Sequence, residues 1–479
     1  MFNFKILSHW AEVRPEELAY VDEMYSVSFA QLNSDTRKIA NFLAQSGISR
    51  GDLVCTILPS YMEWVFTLAL HLLGAATMSR SRVTPFDSAN QPLWVISPKE
   101  HPQINKDKTL IINETIFNRI LIGSEISLAP GYKNGEALAR IFSTSGTSGT
   151  PKSIALYVSQ LSNLPANKSG QDFISAKNVL GLYPFAAFQS YTRAIKALAK
   201  GETFFGYAKF GPKILEILVE HQISAILGSP AQVSSFLTIQ KEAGIELPNI
   251  SAIVMGGSAP SIQLISRIRE QLNCSVFNAY GSTEAGNVTI REITDGISGG
   301  ALINSSADVQ IVDENDLVLP LMQTGRIRYK KPGMATSYYK NPVASAEFFK
   351  DGYFYPGDLG YIDEAGLLVL CGRVNEVINL GGVKINPEKV DEVALAQLGV
   401  LDCASFAVSD ASGVEQLGIA LVTDGDFDLE LFTKAMASDC VAVPSVIKQV
   451  GAIARNDNGK VVRGDLSAQI STFKGDNPG

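Results

Sequence analysis

The sequence predicts an α/β protein: a large N-terminal domain of helix-covered mixed sheets with a small antiparallel subdomain, followed by an α+β C-terminal domain. Three observations carry this. The chain has 479 residues, too many for one ordinary core. Helix-period and strand-period apolar runs alternate from Ser28 to Leu272. From about Ala301 the texture changes to short strands separated by Gly and Pro, and after Gly372 to a compact mixture of helices and strands.

The elements follow in chain order. Ser28 to Ser46 places Phe29, Leu32, Ile39, Phe42 and Leu43 at helical spacing and ends near Gly47. Gly51-Asp52 then leads into a strand-like run, Leu53 to Leu58. The most apolar stretch, Trp64 to Met78, is too short to span a bilayer and reads as a buried helix, with a closing glycine at Gly74.

Further on, strands are expected at Val179 to Leu182, Ala225 to Leu227 and Ile250 to Met255. Helices are expected at Tyr191 to Leu198, Ile214 to His221 and Ile262 to Leu272. The strand ending in Gly256-Gly257 before a helix is where α/β proteins usually hold ligands. The antiparallel subdomain takes Asp308 to Val312, Gly325 to Lys330, Tyr361 to Asp363 and Leu367 to Leu370. The C-terminal region reads as helices at Pro387 to Gln397 and Leu429 to Ala437, with strands at Ala404 to Ser409 and Gly418 to Thr423. A domain boundary is expected near Arg373, between 1–372 and 377–479.

Composition excludes several classes. Hydrophobic residues at 46% and charged residues at 18% fit a folded globular chain. The formal charge of −8 argues against nucleic acid as a partner, so an anionic ligand must be held by local groups. Cys55, Cys274, Cys371, Cys403 and Cys440 are scattered and odd in number, without a C-x-x-C pair, which speaks against a disulfide framework or a zinc site. The four histidines, His9, His71, His101 and His221, fall in no motif. Met1 to Trp10 lacks the apolar core of a signal peptide, so a cytoplasmic protein without stable membrane insertion is expected.

The strongest chemical signal is Ser143 to Ser153, where small hydroxylated residues alternate with glycines and Lys152 follows Pro151. Such a loop turns backbone N–H groups and hydroxyls toward a phosphate. Counted from Gly146, the second glycine of the Walker A pattern falls at Pro151, so no helix is expected to open after the loop. Four further segments follow in order: Asn278-Ala279-Tyr280-Gly281-Ser282-Thr283-Glu284, Tyr355-Pro356-Gly357-Asp358, Gly372 to Ile378, and Asn458-Gly459-Lys460.

Together these five segments resemble the motifs of the adenylate-forming superfamily, which includes acyl-CoA synthetases, peptide-synthetase adenylation domains and beetle luciferases. The likeness covers nearly the whole chain. It implies ATP-dependent activation of a carboxylic acid, fatty or aryl, to its acyl-adenylate, then transfer to coenzyme A with release of AMP. ATP, Mg2+ and coenzyme A, or a carrier protein's phosphopantetheine, are the implied cofactors. By that resemblance Thr144, Ser145, Gly146, Thr147, Ser148, Gly149 and Lys152 hold phosphates. Gly257, Ser258, Ala259, Asn278, Ala279, Tyr280 and Gly281 flank the nucleotide, with Tyr280 as a flat face for adenine. Thr283 bonds a phosphate oxygen, and Glu284 is a hard oxygen ligand for Mg2+. Asp358 accepts from the ribose hydroxyls, Arg373 contacts the ribose-phosphate side, and Lys460 reaches the α-phosphate and the acid.

The resemblance also implies a mobile C-terminal domain that turns about Asn375, with Gly381 and Gly382 along the thiol path. The acid pocket is expected at Phe185, Ala187, Phe188, Ser229, Gly256 and Gly281. Departures from the family pattern are the neutral Asn375 at the hinge, Ser153 after Pro-Lys, a loosely matching gate segment, Leu182 to Phe188, and a short Arg80 to Ile120 segment that implies a trimmed N-terminal subdomain. Adenylation domains for α-amino acids carry an aspartate in the gate, and none lies between Val179 and Lys200, which disfavours amino acids. Two other readings stay open: loading of an acyl carrier protein, and a non-catalytic nucleotide-binding relative. A homodimer is allowed by the sequence.

Overall fold

The computed structural model describes residues 5–80, 91–100, 106–127, 129–144, 152–163, 174, 176, 178–207, 211–247, 249–294, 299–374, 376–380, 383–409, 415–439, 443–455, 461, 463, 466 and 467. Within these residues the expected α/β architecture of helix-covered mixed sheets is present.

The first sheet has six strands in the order Thr109–Ile111, Trp94–Ser97, Leu53–Thr56, Ala76–Ser79, Leu138–Thr144 and Lys152–Tyr157. All neighbours are parallel except the last pair, in which Thr144 faces Lys152 across an antiparallel ladder. The short 80–120 segment therefore still supplies two strands to this sheet. Its helices include Phe29–Gln45, capped by the Ser28 side chain as the spacing predicts. The apolar Trp64 to Met78 stretch is not one helix. The helix Ser60–Leu73 stops at Gly74, whose φ of 80° only glycine adopts easily, and the chain re-enters the sheet at Ala76–Ser79. Helix and strand are both buried there, so apolar continuity hides the switch.

The second sheet has nine strands. Its parallel centre runs Ser275–Ser282, Ala252–Gly256, Ala225–Gly228, Val179–Gly181, Phe204–Phe205 and Leu18–Val21. Antiparallel strands Gly286–Glu292 and Leu302–Ile303 extend one edge, and Ser26–Ser28 the other. The central strands are apolar on both faces because helices cover both, which is why they read as short continuous runs.

The antiparallel subdomain pairs Asp308–Val312 with Gly325–Lys330, then Asp358–Ile362 and Leu368–Arg373, with two short edge strands. Beyond Arg373 the described residues form a hairpin, Ile378–Leu380 with Val383–Ile385, and a three-stranded sheet flanked by helices Pro387–Leu395 and Leu429–Asp439. Cys55, Cys274, Cys371 and Cys403 are free thiols, and Cys440 lies outside the described residues. No helix among the described residues is long and apolar enough to cross a membrane.

Candidate active site

A cavity of about 260 Å³ lies where the three N-terminal sheets meet. The carboxyl ends of the central parallel strands contribute Leu227, Met255, Gly256 and Ala279 to its wall, as expected for ligands in open α/β sheets. The six-stranded sheet contributes Phe142, Lys152 and Ile154. The antiparallel subdomain contributes Phe354, Asp358 and Arg373.

The tight turn between strands Ser275–Ser282 and Gly286–Glu292 carries Thr283 and Glu284 to the cavity. Gly281 permits it, because a Cβ there would overlap the Gly286 carbonyl. Glu284 is 8% exposed, and its Oε1 accepts a hydrogen bond from the Tyr338 hydroxyl at 2.9 Å. Burial, and then Glu284, raise the Tyr338 pKa, so that phenol stays a donor. The other Glu284 oxygen has no hydrogen-bond donor among the described residues. Lys152 begins a strand, not a helix, and its Nζ stands 3.4 Å from the centroid of the Phe348 ring. Burial pulls its pKa below the usual lysine value, against the pull of Glu347 and Glu284.

At the subdomain side, Asp358 and Arg373 are cross-strand neighbours. Arg373 Nε lies 3.1 Å from Asp358 Oδ1. The Tyr280 hydroxyl donates to Asp358 Oδ2 at 2.6 Å. Asp358 is 6% exposed and is therefore a fixed, doubly held carboxylate on the cavity wall. Burial, and then Asp358, raise the Tyr280 pKa. Burial works against the Arg373 charge, but Asp358 and then Glu376 outweigh it, and its pKa is raised. Glu376 also receives Arg463 at 3.2 Å, which ties the C-terminal region to this end of the site.

The expected site residues divide. Lys152, Gly256, Gly257, Ala279, Gly281, Thr283, Glu284, Asp358, Arg373 and Phe188 line one cavity. Tyr280 is not on its wall. Alternation along the strand sends its ring the other way, edge-on to Tyr329 with centroids 6.4 Å apart, and its hydroxyl reaches Asp358. Asn278 alternates with it and is likewise off the wall, as are Ser258 and Ala259.

Three residues expected in the acid pocket are not on the wall of this cavity. Phe185 packs into the core against Trp64, Tyr191 and Phe204 at 5.7–6.4 Å between centroids. Ala187 is the N-terminal cap position of helix Phe188–Lys200. Ser229 is fully buried, capping helix Pro230–Ala243 through Gln232. Thr144 ends the strand before the phosphate loop. Ser145, Gly146, Thr147, Ser148, Gly149, Asn375, Gly381, Gly382 and Lys460 lie outside the described residues.

The structure adds residues that the motifs do not contain. Tyr338 and Lys331 come from the loop after strand Gly325–Lys330. Helix Phe188–Lys200 faces the cavity with Gln189, Thr192, Arg193 and Lys196. Their i, i+3, i+4, i+7 spacing was a readable signal: a polar stripe on an otherwise apolar helix.

The model of the family described as AMP-binding enzyme matches residues 7–85 and 93–339. The chain is 22% identical over 508 residues to a 4-chlorobenzoate–CoA ligase of Arthrobacter sp, covering 99% of this chain and 96% of that protein. It is 25% identical over 509 residues to a fatty acid–[acyl-carrier-protein] ligase, MmaC, of Mycobacterium marinum, covering 96% of each. The crystal structure of the anthranilate CoA ligase AuaEII in complex with anthranoyl-AMP superposes with a TM-score of 0.85 at 17% identity, over 97% of this chain and 96% of that one. The matched segments carry Lys152 and the whole turn around Glu284, and Asp358 and Arg373 close the same cavity from beyond them. On these grounds the chain belongs to the AMP-binding enzyme family.

Proposed function

We propose that this chain is an AMP-forming acid–thiol ligase: it joins a carboxylic acid to AMP and passes the acyl group to coenzyme A. One observation carries the reading. A single cavity holds Lys152, Thr283 and Glu284 near a fixed Asp358–Arg373 pair, and continues onto an apolar wall of Phe188, Val254 and Met255. Phosphate, ribose and acyl group would thus share one enclosure.

In the first step a carboxylate oxygen bonds to the α-phosphorus of ATP as the bond to pyrophosphate breaks. The protein's part is positioning and charge balance. Lys152, with residues 144–149, would hold the phosphates, and Asp358 would accept from the ribose diol. Glu284 fits Mg2+, which takes one or two carboxylates plus phosphate and water oxygens, because one of its oxygens is unclaimed by any described residue. Bound there, Mg2+ would offset phosphate charge. Lys460 is assigned to the α-phosphate. In the second step the thiol sulfur bonds to the acyl carbon and AMP leaves. The division into 1–372, a 373–376 hinge about Asn375 and a lid of 377–479 belongs to this proposal, as does a thiol path by Gly381 and Gly382.

An acyl carrier protein is the second acceptor to consider, given the likeness to MmaC. The test is acid-dependent exchange of pyrophosphate into ATP with Mg2+. Exchange with one acid class supports the reading, and added coenzyme A or carrier protein then identifies the acceptor. No exchange with any acid, in protein that still binds ATP, overturns it.

A further inference from the structure

We infer that the acid taken by this cavity carries a second negative charge, a distal carboxylate, received by Arg193. The inference rests on the adenylation reading of the same cavity and specifies its substrate. Four side chains of helix Phe188–Lys200 face the cavity, and two of them, Arg193 and Lys196, are cationic.

Among the described residues Arg193 forms no ion pair. It donates to the Val179 carbonyl, stands 5.5 Å from the centroid of the Phe204 ring, and its buried Nε has no acceptor among the described residues. The strand beside it makes room: a Cβ at Gly181 would overlap the Arg193 guanidinium.

Burying cations without a counter-charge is costly, and an anion that arrives with the ligand offsets that cost. ATP is not the obvious source. The residues suited to its phosphates and ribose come from the six-stranded sheet, the Glu284 turn and the antiparallel subdomain. Arg193 instead lies over the nine-stranded sheet, beside Val179 and Phe204, and lines the same cavity as the apolar Phe188, Val254 and Met255.

The test uses the full-length enzyme and pyrophosphate exchange with matched acids: pentanedioate against pentanoate, and benzene-1,4-dicarboxylate against 4-methylbenzoate. A site built for a polar group rejects the analogue lacking it strongly, so the dicarboxylate of the preferred pair should lead by at least about 30-fold in kcat/KM. Arg193→Met should remove most of that lead and leave KM for ATP unchanged, and Arg193→Lys should restore part of it. A wild-type preference for the methyl-ended acids overturns the inference while leaving the adenylation reading intact. So does an Arg193→Met variant that changes only KM for ATP. No exchange with any acid overturns both. The wild-type comparison decides even if the variant misfolds.

Discussion

Asp358→Asn is the most informative single change at the nucleotide end. The carboxylate offers about four lone-pair positions on two oxygens. Tyr280 and Arg373 occupy one each, on different oxygens, so about two remain for the ribose hydroxyls. Asparagine has one acceptor oxygen and one NH2 donor in the same volume. Its oxygen can satisfy Tyr280 or Arg373, but the NH2 cannot accept from the other, and little is left for the sugar. Two hydrogen bonds to a charged group contribute about 1.5–3 kcal/mol each, and water in the mutant site recovers part of that. We take about 3 kcal/mol, or roughly 150-fold in kcat/KM for ATP. The assay is pyrophosphate exchange with ATP varied at saturating acid. Tyr280→Phe is the companion: it leaves Asp358 charged and paired with Arg373, and should cost about tenfold or less. An Asp358→Asn enzyme within threefold of wild type would mean that this carboxylate does not hold the sugar.

Three further outcomes are expected. Glu284→Gln keeps an acceptor for Tyr338 but loses the charge, so the Mg2+ needed for half-maximal exchange should rise about tenfold; an unchanged Mg2+ titration would remove Glu284 from that role. Lys152 binds phosphate only when protonated, and burial, despite Glu347 and Glu284, holds its pKa below 10.5. Activity should therefore fall as pH rises through a value below 10.5, and Lys152→Arg, charged throughout, should lose that alkaline limb in a pH profile of kcat/KM for ATP. Gly281→Ala sets a methyl against the Gly286 carbonyl, and should cost about 1–3 kcal/mol in chemical denaturation along with the exchange activity, because the Glu284 turn must shift.

Much of the fold was legible because local chemistry and tertiary structure agree. Ser28, Gly74, Gly201 and Ser261 stand at helix ends as caps, and the strands Asp308–Val312 and Gly325–Lys330 alternate as half-buried antiparallel strands do. The cavity residues of the motifs were legible for the same reason: the Glu284 turn needs its glycines wherever the rest of the chain lies. What escaped depends on residues far apart in sequence. Tyr280 was read as a stacking face, but its partner Asp358 is 78 positions away and strand alternation decides its direction. Tyr338 joins Glu284 across 54 positions, from a segment with no pattern of its own. Phe185 was assigned to the pocket by its place in the gate segment, while contacts with Trp64 and Phe204 settle its true position in the core.

The pairing of Leu18–Val21 with Phe204–Phe205 has a consequence for how the protein is made. Tyr20 faces Phe204, roughly 180 residues later in the chain, and that strand in turn needs Val179–Gly181 beside it. A ribosome adding about 5–20 residues per second leaves this early apolar strand without its sheet for about 10–40 s. The six-stranded sheet, complete by Tyr157, can form within that time, but the N-terminal hairpin cannot join the nine-stranded one. The protein is thus expected to emerge with one sheet closed and an open edge waiting. That edge is the segment where a chaperone would bind first, and where slowed synthesis would most increase aggregation.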